Sequence, residues 1–154
     1  MCLGYIVKEL TKKFKKQTTP IIAYKVVEKT RNGKYKPSLV DAKNFHIGEN
    51  EAVATPLFAA VCESSFSGDL PYCETEYESG FHAYLSIKDG AKNSADFLNL
   101  HNNPKKFVFI IIEILINPKD VICVGVESGN QVIVTKKMTI QSFNDISSDI
   151  KLNA

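Results

Sequence analysis

Residues 107 to 116 read F-V-F-I-I-I-E-I-L-I, ten residues with one charge, at Glu113. β-Branched and aromatic side chains are typical of strands, and an unbroken apolar run is typical of a strand covered on both faces. The run is too short for a membrane-spanning helix, and the glutamate counts further against one. It therefore predicts a central buried strand, and no membrane association is expected.

Further strands are predicted on both sides of this run. Ile21 to Lys29 is rich in β-branched residues and ends at the tight-turn signal Arg31-Asn32-Gly33, after which Lys34 to Val40 should return as its hairpin partner. Downstream, Val121 to Glu127 and Gln131 to Ile140 are separated by a turn. In the middle of the chain, residues 52 to 62 fit a helix or a strand equally well, and the run from Cys73 to Glu78 is predicted to be a loop.

Two helices complete the prediction. Apolar residues recur at three- and four-residue spacings from Leu3 to Phe14, which indicates an amphipathic N-terminal helix. A second helix should run from Ile87 to about Leu100, because Ser86 and Asp89 resemble an N-cap with an acidic first turn. The predicted class is α+β, a largely antiparallel sheet with an N-terminal helix and one helix after the Gly80-Phe81-His82 strand. We expect a single domain, residues 1–154, with an N-terminal helix and linker (1–19), an α+β core (20–140) and a C-terminal tail (141–154).

Composition narrows the class of protein. The 154 residues are 44% hydrophobic, enough for one sizeable core, and the net charge of +2 is too small to predict nucleic-acid binding. The basic residues are nearly all lysine, with Arg31 the single arginine. Four scattered cysteines and the lack of a signal-peptide pattern predict a cytoplasmic protein with reduced thiols.

The cysteines offer little chemistry by spacing. Cys62, Cys73 and His82 have the right ligand types for zinc, but they do not form the close pairs of structural zinc sites, so no metal is predicted. A cysteine nucleophile is opposed by Glu74, Glu76 and Glu78, because nearby carboxylates raise the pKa of a thiol.

The strand after Gly80 carries the best candidate site. By the two-residue strand period, His82 and Tyr84 share one face, opposite Phe81 and Ala83. With Ser86 at the start of the next helix, they could stack on a base or bind a phosphate. The alternative is a histidine satisfied within a polar network of the core. The acidic segment before Gly80 could form a lid over His82.

Known nucleotide and hydrolase motifs are missing. The sequence has no G-x-G-x-x-G, no phosphate-loop lysine signature and no G-x-S-x-G elbow. No catalytic residues are therefore predicted.

Five segments carry a resemblance. In order they are Ala23-Tyr24-Lys25-Val26-Val27, Phe45-His46-Ile47-Gly48, Ser79-Gly80-Phe81-His82, Ile116-Asn117-Pro118-Lys119-Asp120-Val121-Ile122 and Lys136-Lys137-Met138-Thr139-Ile140. Together they resemble a small domain of bacteriophage proteins, including the C-terminal part of rIIB-type rapid-lysis proteins. The resemblance spans roughly residues 21 to 140. It implies a phage or prophage setting and no catalytic residues.

A second likeness is to the ADP-ribosyltransferase fold. It would place His82, Tyr84, Tyr24 and Glu113 around NAD, although Ala23-Tyr24-Lys25-Val26 lacks the histidine or arginine of that family's early strand.

The predicted function is that of a phage-associated accessory protein without catalysis or cofactor. It would bind a host protein or a small nucleotide-type ligand through His82, Tyr84, Ser86, Tyr24 and Glu113. One alternative is an ADP-ribosyltransferase-like enzyme using NAD. Another is an assembly protein that forms a homo-oligomer through an exposed sheet edge.

Overall fold

The computed structural model describes residues 3–37, 43–54, 56–62, 74–101 and 107–147. These residues form one eleven-stranded sheet with helices against it, which confirms the α+β class. The strands are β1 (Tyr5–Val7), β2 (Ile21–Thr30), β3 (Tyr35–Pro37), β4 (Gly48–Glu51), β5 (Pro56–Cys62), β6 (Glu74–Glu78), β7 (Phe81–Tyr84), β8 (Phe107–Ile116), β9 (Val121–Glu127), β10 (Asn130–Thr135) and β11 (Lys137–Ile140). The helices are α1 (Lys8–Lys15), a π-helical turn (Ile87–Ala91), α2 (Lys92–His101) and a 3₁₀ turn (Pro118–Asp120).

The run from 107 to 116 is the central strand predicted from its composition. β8 lies between β2 and β11, and its register with β2 extends from Ile21 opposite Ile116 to Thr30 opposite Phe107. The sheet order is β4-β11-β8-β2-β7-β10-β9-β1-β5-β6, with β3 beside β2. Within the described residues the pairing is antiparallel except between β1 and β5.

The sheet is curled, which brings the end of β10 next to the start of β11. Only Lys136 separates β10 from β11, yet β10 pairs with β7 and β9 whereas β11 pairs with β8 and β4. Three strands lie between β10 and β11 in the sheet order, so the sheet must bend back on itself to keep this short connection. Buried side chains from both strands, Ile133 and Met138, belong to one core cluster on the concave side.

Each face of the sheet has its own core. The inner face, on the concave side, is filled mainly by isoleucines and valines. Its buried residues are Ile21, Ala23, Val27, Phe45, Ala83, Ile110, Ile112, Ile114, Ile116, Val121, Val124, Ile133, Met138 and Ile140. The outer face carries Tyr84, Ile111 and Val134 beneath Ala91, Ala95 and Leu98 of the second helical segment.

Two polar side chains fix the helices to strand backbones. The hydroxyl of Thr11 in α1 accepts a 2.9 Å hydrogen bond from the Val124 amide of β9. The amide of Asn99 in α2 makes hydrogen bonds of 2.8 and 2.9 Å with the backbone N–H and carbonyl of Phe109 in β8. Each helix is thereby aligned with one strand of the sheet.

The N-terminal segment differs from the predicted helix over Leu3 to Phe14. Tyr5–Val7 form β1, which fills the position between β9 and β5, and α1 begins only at Lys8. Ile6 and Val7 are both buried, on opposite sides of a strand, and apolar periodicity alone could not separate this from a helix face. Gly125 permits the pairing, since a Cβ there would lie 2.2 Å from the Tyr5 carbonyl oxygen.

The acidic segment also differs. Glu74–Glu78 form strand β6 against β5, so the prediction of a loop is wrong for these residues, and Cys73 lies outside the described part of the chain. The ambiguous segment 52–62 contains strand β5. The segment 131–140 is divided into β10 and β11, and the predicted helix after Ser86 begins with a π-helical turn. No helix of the described residues has the length and apolar character needed to cross a membrane.

Candidate functional site

His82 is held in a short hydrogen-bonded chain. Its Nδ1 lies 3.2 Å from the Gly80 carbonyl oxygen and its Nε2 lies 3.4 Å from the Tyr77 hydroxyl, which also accepts a hydrogen bond from the Leu3 amide at 3.2 Å. Because a carbonyl can only accept, Nδ1 carries the proton and Nε2 accepts from the tyrosine. Both ring nitrogens are therefore occupied within the protein, as in the polar-network alternative.

Burial keeps this imidazole neutral. Desolvation, with a smaller contribution from the positive charge of Lys25, lowers the pKa of His82 to about 4. The charged form would lose the hydrogen bond from Tyr77, since a doubly protonated ring has no acceptor. The acidic segment does reach His82, through Tyr77 of strand β6 and not through a loop.

Lys25 is a buried cation on the inner face. Its Nζ donates a 2.8 Å hydrogen bond to the His82 carbonyl and lies 5.9 and 5.8 Å from the ring centroids of Phe45 and Phe81. The two rings contact each other edge to face at 5.7 Å. Desolvation lowers the pKa of this ammonium to about 8.

The remaining predicted residues form a row on the outer face. Glu113 is directly opposite Tyr24, and Tyr24 is directly opposite Tyr84, so the three side chains share that face. Tyr84 is only 6% exposed because the π-helical turn packs on it: a Cβ on Gly90 would lie 2.4 Å from Cδ1 of the ring. Its ring is covered, whereas Glu113 is exposed in an interior strand.

Ser86 caps the π-helical turn. Its hydroxyl lies 3.5 Å from the Asp89 amide, and the Asp89 side chain follows in the same first turn. The hydroxyl is therefore used within the chain, and the negative charge of Asp89 in the same turn disfavours a phosphate there.

A cleft that the sequence did not predict lies at the end of the sheet where the 3₁₀ turn follows β8. It has a volume of about 400 Å³, and its charged lining consists of three lysines, Lys15, Lys119 and Lys136, and one glutamate, Glu78. Val121 and Ile122 supply apolar surface. The three lysines come from α1, the 3₁₀ turn and the β10–β11 junction. We call it the lysine cleft.

The charges of the lysine cleft are not neutralised internally. Within the described part of the chain, none of its three lysines and one glutamate takes part in a salt bridge. The three ammonium groups thus leave a net positive field at a concave surface.

A second, smaller cleft adjoins it. This cleft measures about 160 Å³ and shares Lys119 with the lysine cleft. Its other polar lining includes Glu49, Asp120, Lys137 and Thr139, and Leu115 supplies apolar surface. We call it the acidic cleft after its two carboxylates, Glu49 and Asp120, although Lys119 and Lys137 balance their charge.

The five segments that carry the bacteriophage resemblance meet at two places. Three of them supply Lys25, Phe45 and Phe81, together with the His82 carbonyl. The other two supply Lys119 and Lys136, which line the lysine cleft. The first group is buried or partly buried, whereas the two lysines of the second are exposed.

Two further ionisable side chains of the described residues, Cys123 and Glu127, are desolvated by burial. Burial raises the pKa of the Cys123 thiol to about 12, so it is protonated at neutral pH. The described residues contain no group of three or more histidine, cysteine and acidic side chains that could hold a metal ion. Oε2 of Glu127 is buried without a hydrogen-bond partner among the described residues, and desolvation raises the pKa of that carboxyl.

Sequence reasoning missed the lysine cleft because Lys15 lies more than 100 residues before Lys119 and Lys136 in the chain. The only local signals were the Asn-Pro-Lys-Asp turn and the Lys-Lys pair, both of which also fit ordinary solvated turns.

Comparison of the chain with protein families, curated proteins and solved structures finds no match.

Proposed function

We propose that this protein is a non-catalytic binding protein for a small phosphorylated ligand, which occupies the lysine cleft. The observation that carries the proposal is the convergence of Lys15, Lys119 and Lys136, without an internal salt bridge among the described residues, on a cleft of about 400 Å³. Binding pockets for small molecules usually have volumes of about 300 to 1,000 Å³.

Lysine is suited to this role without arginine. The ε-ammonium is a compact charge with three donors, and lysine is a common phosphate ligand even though it cannot form the bidentate contact of a guanidinium. Three lysines around one cleft can contact several oxygens of one phosphate. Apolar surface from Val121 and Ile122 can cover the less polar part of a ligand.

We propose no catalytic role because the reactive side chains among the described residues are hydrogen-bonded, covered or buried. His82 has both ring nitrogens engaged, Tyr84 is covered by the π-helical turn, and the Cys123 thiol is buried. The lysines of the cleft are exposed, and no group lining the cleft is a histidine or cysteine. The phage-associated setting rests on the resemblance of the five segments alone.

The test is a calorimetric titration of the purified protein with methyl phosphate at low ionic strength. We expect binding that weakens as salt is added, because exposed charges are screened within about 10 Å at 0.1 M salt. Lys136→Gln should weaken it about two- to fivefold, since exposed ion pairs contribute up to about 1 kcal/mol.

The matched control is Lys34→Gln, which removes one exposed lysine from the β2–β3 turn. It changes the net charge equally but leaves the cleft intact, so it should bind as the unaltered protein does. An equal loss of affinity in both variants would show a general charge effect and contradict the proposed site.

A further inference from the structure

The two clefts are parts of one continuous surface. Lys119 lines both, and the consecutive residues Lys136 and Lys137 line the lysine cleft and the acidic cleft respectively. A ligand held by its phosphate at Lys119 therefore has a second compartment within reach. Which chemical group fits that compartment can be read from its lining.

The acidic cleft does not suit a second phosphate. Glu49 and Asp120 together balance the charges of Lys119 and Lys137, so the net charge of its lining is zero. A lining without net charge offers an added anion no net electrostatic attraction, unlike the lysine cleft. A carboxylate instead accepts hydrogen bonds from hydroxyl groups.

The hydrogen-bonding groups of the acidic cleft are available and well fixed. Among the described residues, the side chains of Glu49, Asp120 and Thr139 have no hydrogen-bond partner. Thr139 on β11 lies directly opposite Glu49 on β4, so paired strands hold these two groups side by side, while Asp120 belongs to the 3₁₀ turn. Side chains on paired strands are more precisely placed than those on loops.

Size and apolar surface further restrict the ligand. The volume of about 160 Å³ equals that of about five water molecules at about 30 Å³ each. This space suits a single small ring and not a chain of several. Leu115, which is partly exposed, offers apolar surface for the C–H face of such a ring.

We propose that the ligand is a phosphate monoester of a sugar, with its phosphate in the lysine cleft and its ring hydroxyls in the acidic cleft. This inference rests on the proposed function, because it assigns the second part of the same ligand. Glu49 and Thr139 are then the residues that distinguish a sugar phosphate from a simple phosphate ester.

The test compares ribose 5-phosphate with methyl phosphate, which has the same phosphate monoester but no hydroxyls. Calorimetry should show ribose 5-phosphate binding at least tenfold tighter to the unaltered protein. In Glu49→Gln and in Thr139→Val this advantage should fall to threefold or less, whereas the affinity for methyl phosphate stays the same. Glu51→Gln, on the same strand but outside the cleft, should retain the full advantage.

The outcomes separate the two proposals. If methyl phosphate binds and Lys136→Gln weakens it, but ribose 5-phosphate binds no tighter, the sugar assignment is overturned and the phosphate site stands. An advantage that survives in both Glu49→Gln and Thr139→Val overturns the assignment to the acidic cleft. If neither compound binds, the proposed function fails and the sugar assignment fails with it. Circular dichroism and thermal melting establish that each variant is folded.

Discussion

The ammonium group of Lys25 donates a 2.8 Å hydrogen bond to the backbone carbonyl of His82, across the boundary between β2 and β7. These strands are paired at one position only, Tyr24 opposite Tyr84, so the lysine joins them where the ladder of backbone hydrogen bonds ends. The phenylalanine rings of Phe45 and Phe81 enclose the charge. A buried cation here connects the inner core to the backbone that positions His82.

The Lys25 ammonium should make stability rise with pH on the alkaline side. Its pKa is about 8 in the folded protein, against an ordinary value of 10.5, so between these values the unfolded chain binds the proton more tightly. The free energy of unfolding should therefore increase as pH rises from about 8 to 10.5, by about 3 kcal/mol. Lys25→Met should lack this increase.

Denaturant unfolding between pH 7 and 10.5 measures this increase in the free energy of unfolding. Lys29→Met is the control, because Lys29 is exposed on the same strand. The compared quantity is the difference in the free energy of unfolding between each variant and the unaltered protein, so the contributions of the other titrating groups cancel. Parallel pH profiles for Lys25→Met and the unaltered protein would contradict the buried charge.

His82 should make stability fall with acid. The folded-state pKa is about 4, below the ordinary value of 6.5, so the unfolded chain takes up the proton first as pH falls through this range. The loss should approach about 2 kcal/mol at pH 4, less than full burial would give because the ring is partly exposed. An NMR titration of the ring should give a midpoint near 4.

His82→Gln should remove that acid dependence, whereas His46→Gln, at an exposed position, should retain it. The NMR spectrum should also show the proton on Nδ1 in the neutral form. A midpoint near 6.5 for His82 would mean that its ring is solvated and that the chain through Tyr77 does not form.

Gly90 should be intolerant of a side chain. An alanine Cβ would lie 2.4 Å from the Tyr84 ring, so Gly90→Ala should lower the free energy of unfolding by about 1 to 3 kcal/mol. Replacing Tyr84 by leucine should relieve this conflict. A double-mutant cycle measured by denaturant unfolding checks it, since the alanine should cost clearly less in the Tyr84→Leu background. Equal costs in both backgrounds would contradict the packing of the π-helical turn on Tyr84.

The sequence predicted the elements with strong local patterns. The run from 107 to 116 is the central strand, the Arg31-Asn32-Gly33 turn joins β2 to β3, and Ser86 caps the following helical segment. In each case the signal used for the prediction lies within the segment itself or within a few residues of it. The segment Tyr5–Val7 was harder, because its strand conformation depends on pairing with residues 60–62 and 125–126.

The same distinction between local sequence signals and long-range packing applies to the candidate site. Alternation correctly placed His82 and Tyr84 on one face, but it could not show that Tyr77 and Gly90 would occupy that face. Long-range packing decides whether a polar side chain is satisfied or available. The lysine cleft depends wholly on such packing, since α1 and the β10–β11 junction meet only when the sheet curls.

Phosphate binding at the lysine cleft is tested most directly by an NMR titration of the ¹⁵N-labelled protein with inorganic phosphate at low salt. Binding should produce concentration-dependent shifts of the backbone amides around Lys119 and Lys136, and the Lys119→Gln, Lys136→Gln double variant should abolish them. The amides around Ser86 should stay unchanged. Shifts centred on Ser86, or none near Lys119 and Lys136, would contradict it.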